Sequence, residues 1–353
     1  MIVHIIYTLL IVFWGISVDL SKVKARKQYI WGVSIILILI SGLRNMYVGP
    51  DDTYNYFNTF NNIKQMSYAD CLAVDKDPVF SLFTKVLQII IGGNFQLYLI
   101  LCASLLLVPL GRFFYRESHN PMMSYLMFIS LGFFSFSMVC IRQSMAIGVL
   151  LMSYDALRQH RLVKFIMYVL IASCFHLSAL IFLIIYPMSY FKYNIRMLLI
   201  YLVAVVFSIV MGQEIVGSFD LSLIDARFGG YQLGESRVLS AAGLVQLILF
   251  GLVYAIYYRK VRKINPEEAN LQCHFLSLAM IFQGLVFVIA EFFRVSWYFK
   301  AYVLILIPMI LAYSGKQRKA LTLAFGLLFL AYFFVNVGNN DYAFFWQYYK
   351  PNF

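Results

Sequence analysis

A histidine, five arginines and a few carboxylates are the groups best suited to chemistry here, because they interrupt an otherwise apolar chain. The stretch Arg44–Tyr56, RNMYVGPDDTYNY, follows an apolar run and carries a cation, a Gly49-Pro50 turn and the adjacent carboxylates Asp51 and Asp52. Gly-Pro cannot continue a helix, so the two carboxylates leave the preceding helix on a loop. His176, in ASCFHLSAL, is the only histidine flanked by apolar helix-forming sequence on both sides. Burial favours its neutral form, and a neutral imidazole can accept a proton from a hydroxyl. A lone histidine in such a setting is more often a hydrogen-bonded packing group. His4, His119, His160 and His274 stand near expected helix ends and look ordinary.

Arg44 ends one apolar run, Arg142 opens another in CIRQSMA, Arg227 and Arg237 lie in 213–237, and Arg294 interrupts EFFRVSWYF. A cation at a helix N-terminus, as at Arg142, is disfavoured by the helix dipole, and a bound anion would compensate both. As a set, these arginines suit bidentate recognition of a polyanion such as a diphosphate. Simpler partners exist: Asp51 or Asp52 for Arg44, Glu291 for Arg294, Asp225 or Glu235 for Arg227, or lipid phosphate for any of them. Asp75, Asp77 and Pro78 read as the start of an interfacial helix, with Asp at its N-terminus and Pro in its first turn. No HExxH, GxSxG, Walker or DxD motif occurs, so neither ATP use nor a protein-held metal is indicated. The five cysteines are scattered without CxxC spacing, which argues against a metal knuckle or a disulfide framework.

The elements that must position these groups are membrane helices. Of the 353 residues 62% are hydrophobic and only 12% charged, with a mean hydropathy of +0.79, which excludes a water-soluble surface. The net charge of +12 does not indicate nucleic acid, because the basic residues punctuate apolar runs. About twelve crossings (within 10–13) are expected, at about 2–18, 29–43, 95–111, 121–137, 142–156, 160–174, 177–191, 197–212, 238–258, 270–290, 297–313 and 320–338. The basic loops then all fall in the cytoplasm and both termini outside. Met1–Val18 lacks a basic leader and cleavage site, so it is expected to remain as a helix. Two choices keep this threading consistent. Segment 78–91, made amphipathic by Lys85 and Gln88, lies in the outer interface or re-enters from it. Residues 160–191 form two short helices meeting near His176. The whole of 1–353 reads as a single transmembrane domain with external loops 44–94 and 213–237 and an aromatic tail suited to the interface.

With these residues in place, the sequence resembles the EpsG-like, Wzy-type bacterial polysaccharide polymerases. The matching pieces are Arg44…Gly49-Pro50-Asp51-Asp52…Tyr56, the Asp77-Pro78-x-Phe80 step, Ile141-Arg142-Gln143-Ser144-Met145-Ala146, Phe175-His176-Leu177-Ser178-Ala179 and Arg294…Tyr298. The family often has Gly-Thr-Asp where this chain has Gly-Pro-Asp-Asp, and Glu-Pro where it has Asp-Pro. The resemblance implies an all-α polytopic bundle of the GT-C-like glycosyltransferase kind in the bacterial cytoplasmic (inner) membrane, its active site facing the periplasm or cell exterior. It implies transfer of a growing glycan (O-antigen, capsule or exopolysaccharide) from undecaprenyl diphosphate to another lipid-linked repeat unit, without metal or cofactor. A chain-length regulator and a flippase are the further partners it suggests. On that reading His176, Asp51 and Asp52 are the candidate catalytic groups, and Arg44, Arg142, Arg227, Arg237 and Arg294 the diphosphate ligands. Tyr56, Asp77, Gln143 and Tyr298 would contact the glycan. The alternatives are a flippase for lipid-linked oligosaccharide, which should show inverted repeats that are not evident, and a membrane O-acyltransferase.

Overall fold

The computed structural model describes residues 1–48, 52–74, 77–210, 237–287, 292–337 and 342–347; side chains of Asp52 and of 237–240 lie outside the description. Among the described residues the chain is helical throughout, with no strand and one isolated antiparallel bridge between Arg44 and Phe344. It divides into two compact units. The first comprises Met1–Asp155, Val163–Leu180 and Ile307–Phe353, and the second Ala156–Leu162 and Ile181–Leu306.

The first unit opens with α1 (Ile2–Ser17) and α2 (Val23–Gly42). Ile6, Leu10, Phe13 and Ile16 of α1 are exposed, as expected of a face turned to lipid. Three helices fill the expected external stretch 44–94: α3 (Asp52–Gln65), α4 (Tyr68–Ala73) and α5 (Pro78–Ile91). Ser67 and Asp70 form a reciprocal capping box at the start of α4. The polar residues of α5 turn inward: Lys85 donates to the carbonyls of Ile63 and Lys64, and Gln88 to that of Phe60. Lys85 thus meets the C-terminal turn of α3 and Gln88 the turn before it, while Val79, Val86, Ile89 and Ile90 face outward. That arrangement is the inverse of a soluble amphipathic helix.

Next come α6 (Phe95–Glu117), α7 (Pro121–Ser130), α8 (Phe133–Val139), α9 (Ile141–Met152), α10 (Tyr154–Arg158) and α11 (Leu162–Phe175). Asn94 and Asn120 cap α6 and α7 through their side chains, and Pro121 takes the first position of α7. Gly132, at φ 82°, makes the 55° bend between α7 and α8. α2 packs on α6, where the Ser34 hydroxyl meets Tyr125 at 2.8 Å and the Leu107 carbonyl at 3.3 Å. The backbones of α6 and α9 touch at Gly148, where a Cβ would collide with the Leu105 carbonyl oxygen. After His176 the chain continues as a 3-10 helix, Leu177–Ile184, and α12 (Ile185–Met188), so a break does fall at His176.

The second unit contains α13 (Ile195–Val210), α14 (Arg237–Ile264), α15 (Pro266–Leu285) and α16 (Phe292–Val303); α17 (Leu306–Tyr313) and α18 (Arg318–Val337) complete the chain. Aromatic stacking fastens α15 to α16, with Phe275 on Tyr302 at 4.1 Å and Phe282 on Phe299 at 5.3 Å. His274 pairs with the Tyr201 hydroxyl and the Phe191 carbonyl, both at 2.8 Å, a packing histidine satisfied on both nitrogens. Helices occupy every apolar stretch expected to cross. By length and composition alone, however, four among the described residues suffice to span a bilayer: Phe95–Glu117, Ala241–Ile264, Phe292–Tyr313 and Gly315–Val337; a fifth is added if α7 and α8 form one bent span. Among the described residues the chain is helical, with the apolar helices of a membrane protein.

Candidate active site

The site begins with a departure from simple helix capping. Asp77 precedes Pro78, and a residue before proline is kept out of the right-handed helical region. It adopts φ 52°, ψ 60°, the left-handed conformation, one of two non-glycine positive φ values among the described residues. Asp tolerates that region better than most residues, but it is still a sparsely populated state, and such states collect at functional sites. The Asp77 side chain makes no cap hydrogen bond to α5, contrary to the N-cap expectation. Instead Oδ2 accepts from Arg142 Nη1 at 2.6 Å. The reason is one of magnitude: an N-cap contributes about 1 kcal/mol, and a hydrogen bond between charged groups about 1.5–3 kcal/mol.

Arg142 is the second residue of α9, where the positive end of the helix dipole opposes it. The Asp77 carboxylate supplies the anion that this position requires. The guanidinium also lies over the Phe80 ring, 5.7 Å from its centroid. Phe80 comes three residues after Asp77, hence on the same side of the first turn of α5. Tyr56, on α3, is partly buried against this group. Burial pushes its phenol pKa up, and the neighbouring Arg142 pulls it part of the way back.

His176 completes the cluster. It sits in the break after α11, held there partly by the edge-to-face contact of Phe175 with Phe83 of α5, at 5.4 Å. Its Nδ1 lies 3.5 Å from Asp77 Oδ2, an ion-pair distance that falls short of a hydrogen bond. Nδ1 is accordingly buried without a hydrogen-bond partner. The Asp77 side chain is 7% exposed, against 21% for Arg142 and 23% for His176, so the carboxylate lies beneath two groups that reach the surface. Burial alone would raise the Asp77 pKa. The His176 ring, the Arg142 charge and the Leu177 backbone N–H outweigh it and hold the carboxyl below the usual carboxylate range.

A sequence model of the EpsG family matches residues 29–350. The chain belongs to the EpsG family. No curated protein and no solved structure matches it. Asp77, Arg142, Tyr56 and His176, the four polar members of the cluster, lie within the stretch matched to EpsG, and the assignment puts the chain among membrane proteins of the polysaccharide-polymerase type.

The other candidates in this EpsG-family chain lie elsewhere or outside the described residues. Arg44 is only 1% exposed and is directed into the protein. It donates to the Met138 carbonyl at 2.9 Å, to Thr53 Oγ1 at 3.3 Å, and to the carbonyl and hydroxyl of Ser41. It holds the end of α2 to α3 and α8, and its charge interacts with the Tyr56 phenol from within the protein. Gln143 follows Arg142 but is buried. Arg294, exposed, and Tyr298, fully buried, belong to the second unit. Asp51 and Arg227 lie outside the described residues, as do the side chains of Asp52 and Arg237. No group of three or more potential metal-ligating side chains occurs among the described residues. Sequence reasoning found the four members of the cluster separately but missed that Asp77 joins Arg142 to His176; the only local signal was an acidic residue before proline.

Proposed function

We propose that this protein is a metal-independent glycosyltransferase that polymerises lipid-linked oligosaccharide repeat units on the outer face of the bacterial cytoplasmic membrane. The observation that carries this reading is the Asp77–Arg142–His176 cluster in a chain of the EpsG family. The donor is a growing glycan on undecaprenyl diphosphate, and the acceptor is a sugar hydroxyl of a second lipid-linked unit. A guanidinium has five N–H donors, more than Asp77 and Tyr56 use, so Arg142 can bind phosphate oxygens as well. In the reaction the acceptor oxygen bonds to the anomeric carbon as the bond from that carbon to the diphosphate oxygen breaks. The electron pair leaves with the diphosphate, whose growing charge Arg142 stabilises. The hydroxyl proton passes to His176 Nε2, the ring nitrogen opposite the one facing Asp77. Polyprenyl tails remain among the apolar helices, which cross twelve times on this reading.

The test is reconstitution of the purified protein in liposomes with lipid-linked repeats, a chelator, and neither nucleotide nor acyl donor. A ladder of longer glycans with release of undecaprenyl diphosphate is expected. Arg142→Lys and His176→Gln should each slow it about a hundredfold, as loss of a fitted donor or of a general base does. Absence of a ladder from the wild type, or normal ladders from both variants, would overturn the reading.

A further inference from the structure

One carboxylate oxygen faces two partners here, and it stands closer to one than to the other. Asp77 Oδ2 lies at full hydrogen-bond distance from Arg142 but at 3.5 Å from His176, whose Nδ1 is left buried and unpaired. An imidazole in that state is a poor base. Its tautomer is not fixed by a hydrogen bond, because the Asp77 carboxylate stands at ion-pair distance without accepting from Nδ1. Asp77 engages the guanidinium through this single oxygen. A diphosphate has more charge and can offer two oxygens in the fork geometry that guanidinium prefers.

We propose that the lipid diphosphate and Asp77 compete for Arg142, so that donor binding hands the Asp77 carboxylate to His176 and thereby activates the base. This rests on the reading of Arg142 as the diphosphate ligand. Bringing Oδ2 from 3.5 Å to the distance of a charge-assisted hydrogen bond takes a shift of about 0.7 Å. The left-handed backbone at Asp77 ties the carboxylate to a short turn between Arg142 and His176, so a small rotation is enough to redirect it. Asp77 is then a positioning residue. It orients His176 Nδ1–H and leaves Nε2 as the acceptor, but only when the donor is in place. An acceptor sugar or a water arriving first meets an inactive base, which makes the reaction ordered and limits hydrolysis of the donor.

The test uses the full-length protein in detergent with inorganic pyrophosphate as the probe. Asp77→Asn removes the competitor, so pyrophosphate should bind about tenfold tighter or more, the usual worth of a charged hydrogen bond, while glycan transfer falls roughly a hundredfold. Binding and turnover thus move in opposite directions, which a merely structural or sugar-binding role would not produce. A second readout is the order of binding. The base is completed only with the donor in place, so initial rates of the wild type should fit donor binding before acceptor. Weaker pyrophosphate binding by Asp77→Asn, wild-type turnover by that variant, or random-order binding in the wild type would overturn the exchange. The binding order needs no Asp77 variant, so it decides the matter even if Asp77→Asn fails to insert. Arg142→Lys separates the two levels. If it binds pyrophosphate as wild type does, the diphosphate assignment itself fails; if it loses binding while Asp77→Asn does not tighten it, only the exchange fails.

Discussion

Arg44 and Arg142 look alike in the sequence, each a lone cation at the end of an apolar run, and the structure gives them different work. Arg142 keeps part of its guanidinium at the surface, on the Asp77 carboxylate. Arg44 is enclosed, and the acceptors on its donors are carbonyl and hydroxyl oxygens of its own chain. The two should therefore fail differently. Arg44→Ala leaves buried carbonyls such as that of Met138 without a donor, at about 1–3 kcal/mol for each group, and should appear as protein lost from the membrane or a lowered melting temperature. Arg142→Ala should leave the protein level near normal and remove polymerisation. Normal levels and stability for Arg44→Ala would mean that its hydrogen bonds contribute little. The distinction was not legible in the sequence, because what encloses Arg44 comes from afar. Met138 is 94 residues away, and the 342–347 segment returns to residues 43–45 through Asn45 N–H to Ala343 and Phe345 N–H to Leu43, at 2.8 and 2.9 Å.

At the scale of elements much more was legible, because a membrane helix is written in consecutive residues. The apolar runs marked the helices, and polar residues at their starts marked boundaries, as with Asn94 at α6 and Asn120 at α7. The break at His176 was also visible, since one long helix over 160–191 would have reversed every basic loop after it. Helix-on-helix contact was not visible, since it depends on which small residue faces which backbone. Gly148 shows the consequence. It lies on α9 within two turns of Arg142, and a Cβ there would meet the Leu105 carbonyl oxygen and Leu106 Cα. Both are backbone atoms of α6 and neither can rotate away, so Gly148→Ala must separate the two helices, at about 1–3 kcal/mol for overpacking. Gly326 on α18 is the control, with nothing within 4 Å of an added Cβ. Gly326→Ala should keep or slightly raise stability, by up to about 1 kcal/mol of helix propensity. Melting of the two variants in one detergent decides the point, and equal melting temperatures would exclude a tight α6–α9 contact.

For the whole molecule, contacts between chain-distant segments constrain how the chain crosses the membrane, because two groups in contact outside the hydrocarbon share a side. Arg26 Nη2 donates to the Tyr115 and Ser118 carbonyls at 2.8 and 2.6 Å, so an even number of crossings separates residue 26 from 115–118. The runs at 29–43 and 95–111 supply two, and a crossing at 78–91 would make three. That is a physical argument for keeping α5 at the interface, independent of where the basic residues fall. His119 meets Tyr313 edge-on at 5.4 Å, which again requires an even count between them. The expected threading gives eight when 160–191 is two crossings and seven when it is one. The pairing of Asn45 with Ala343 likewise places the C-terminal end of α2 and the C-terminal segment together. Topology reporters should therefore read cytoplasmic at Arg26, Lys164, Lys192, Arg262 and Lys316, and external at Asp70 and at the C-terminus. The C-terminal reporter is the decisive one. An internal reading there, with Asp70 external, would break the pairing of residues 43–45 with 342–347 and remove the enclosure of Arg44. Opposite readings at Asp70 and next to His176 would put Asp77 and His176 on different faces and end the case for a shared site.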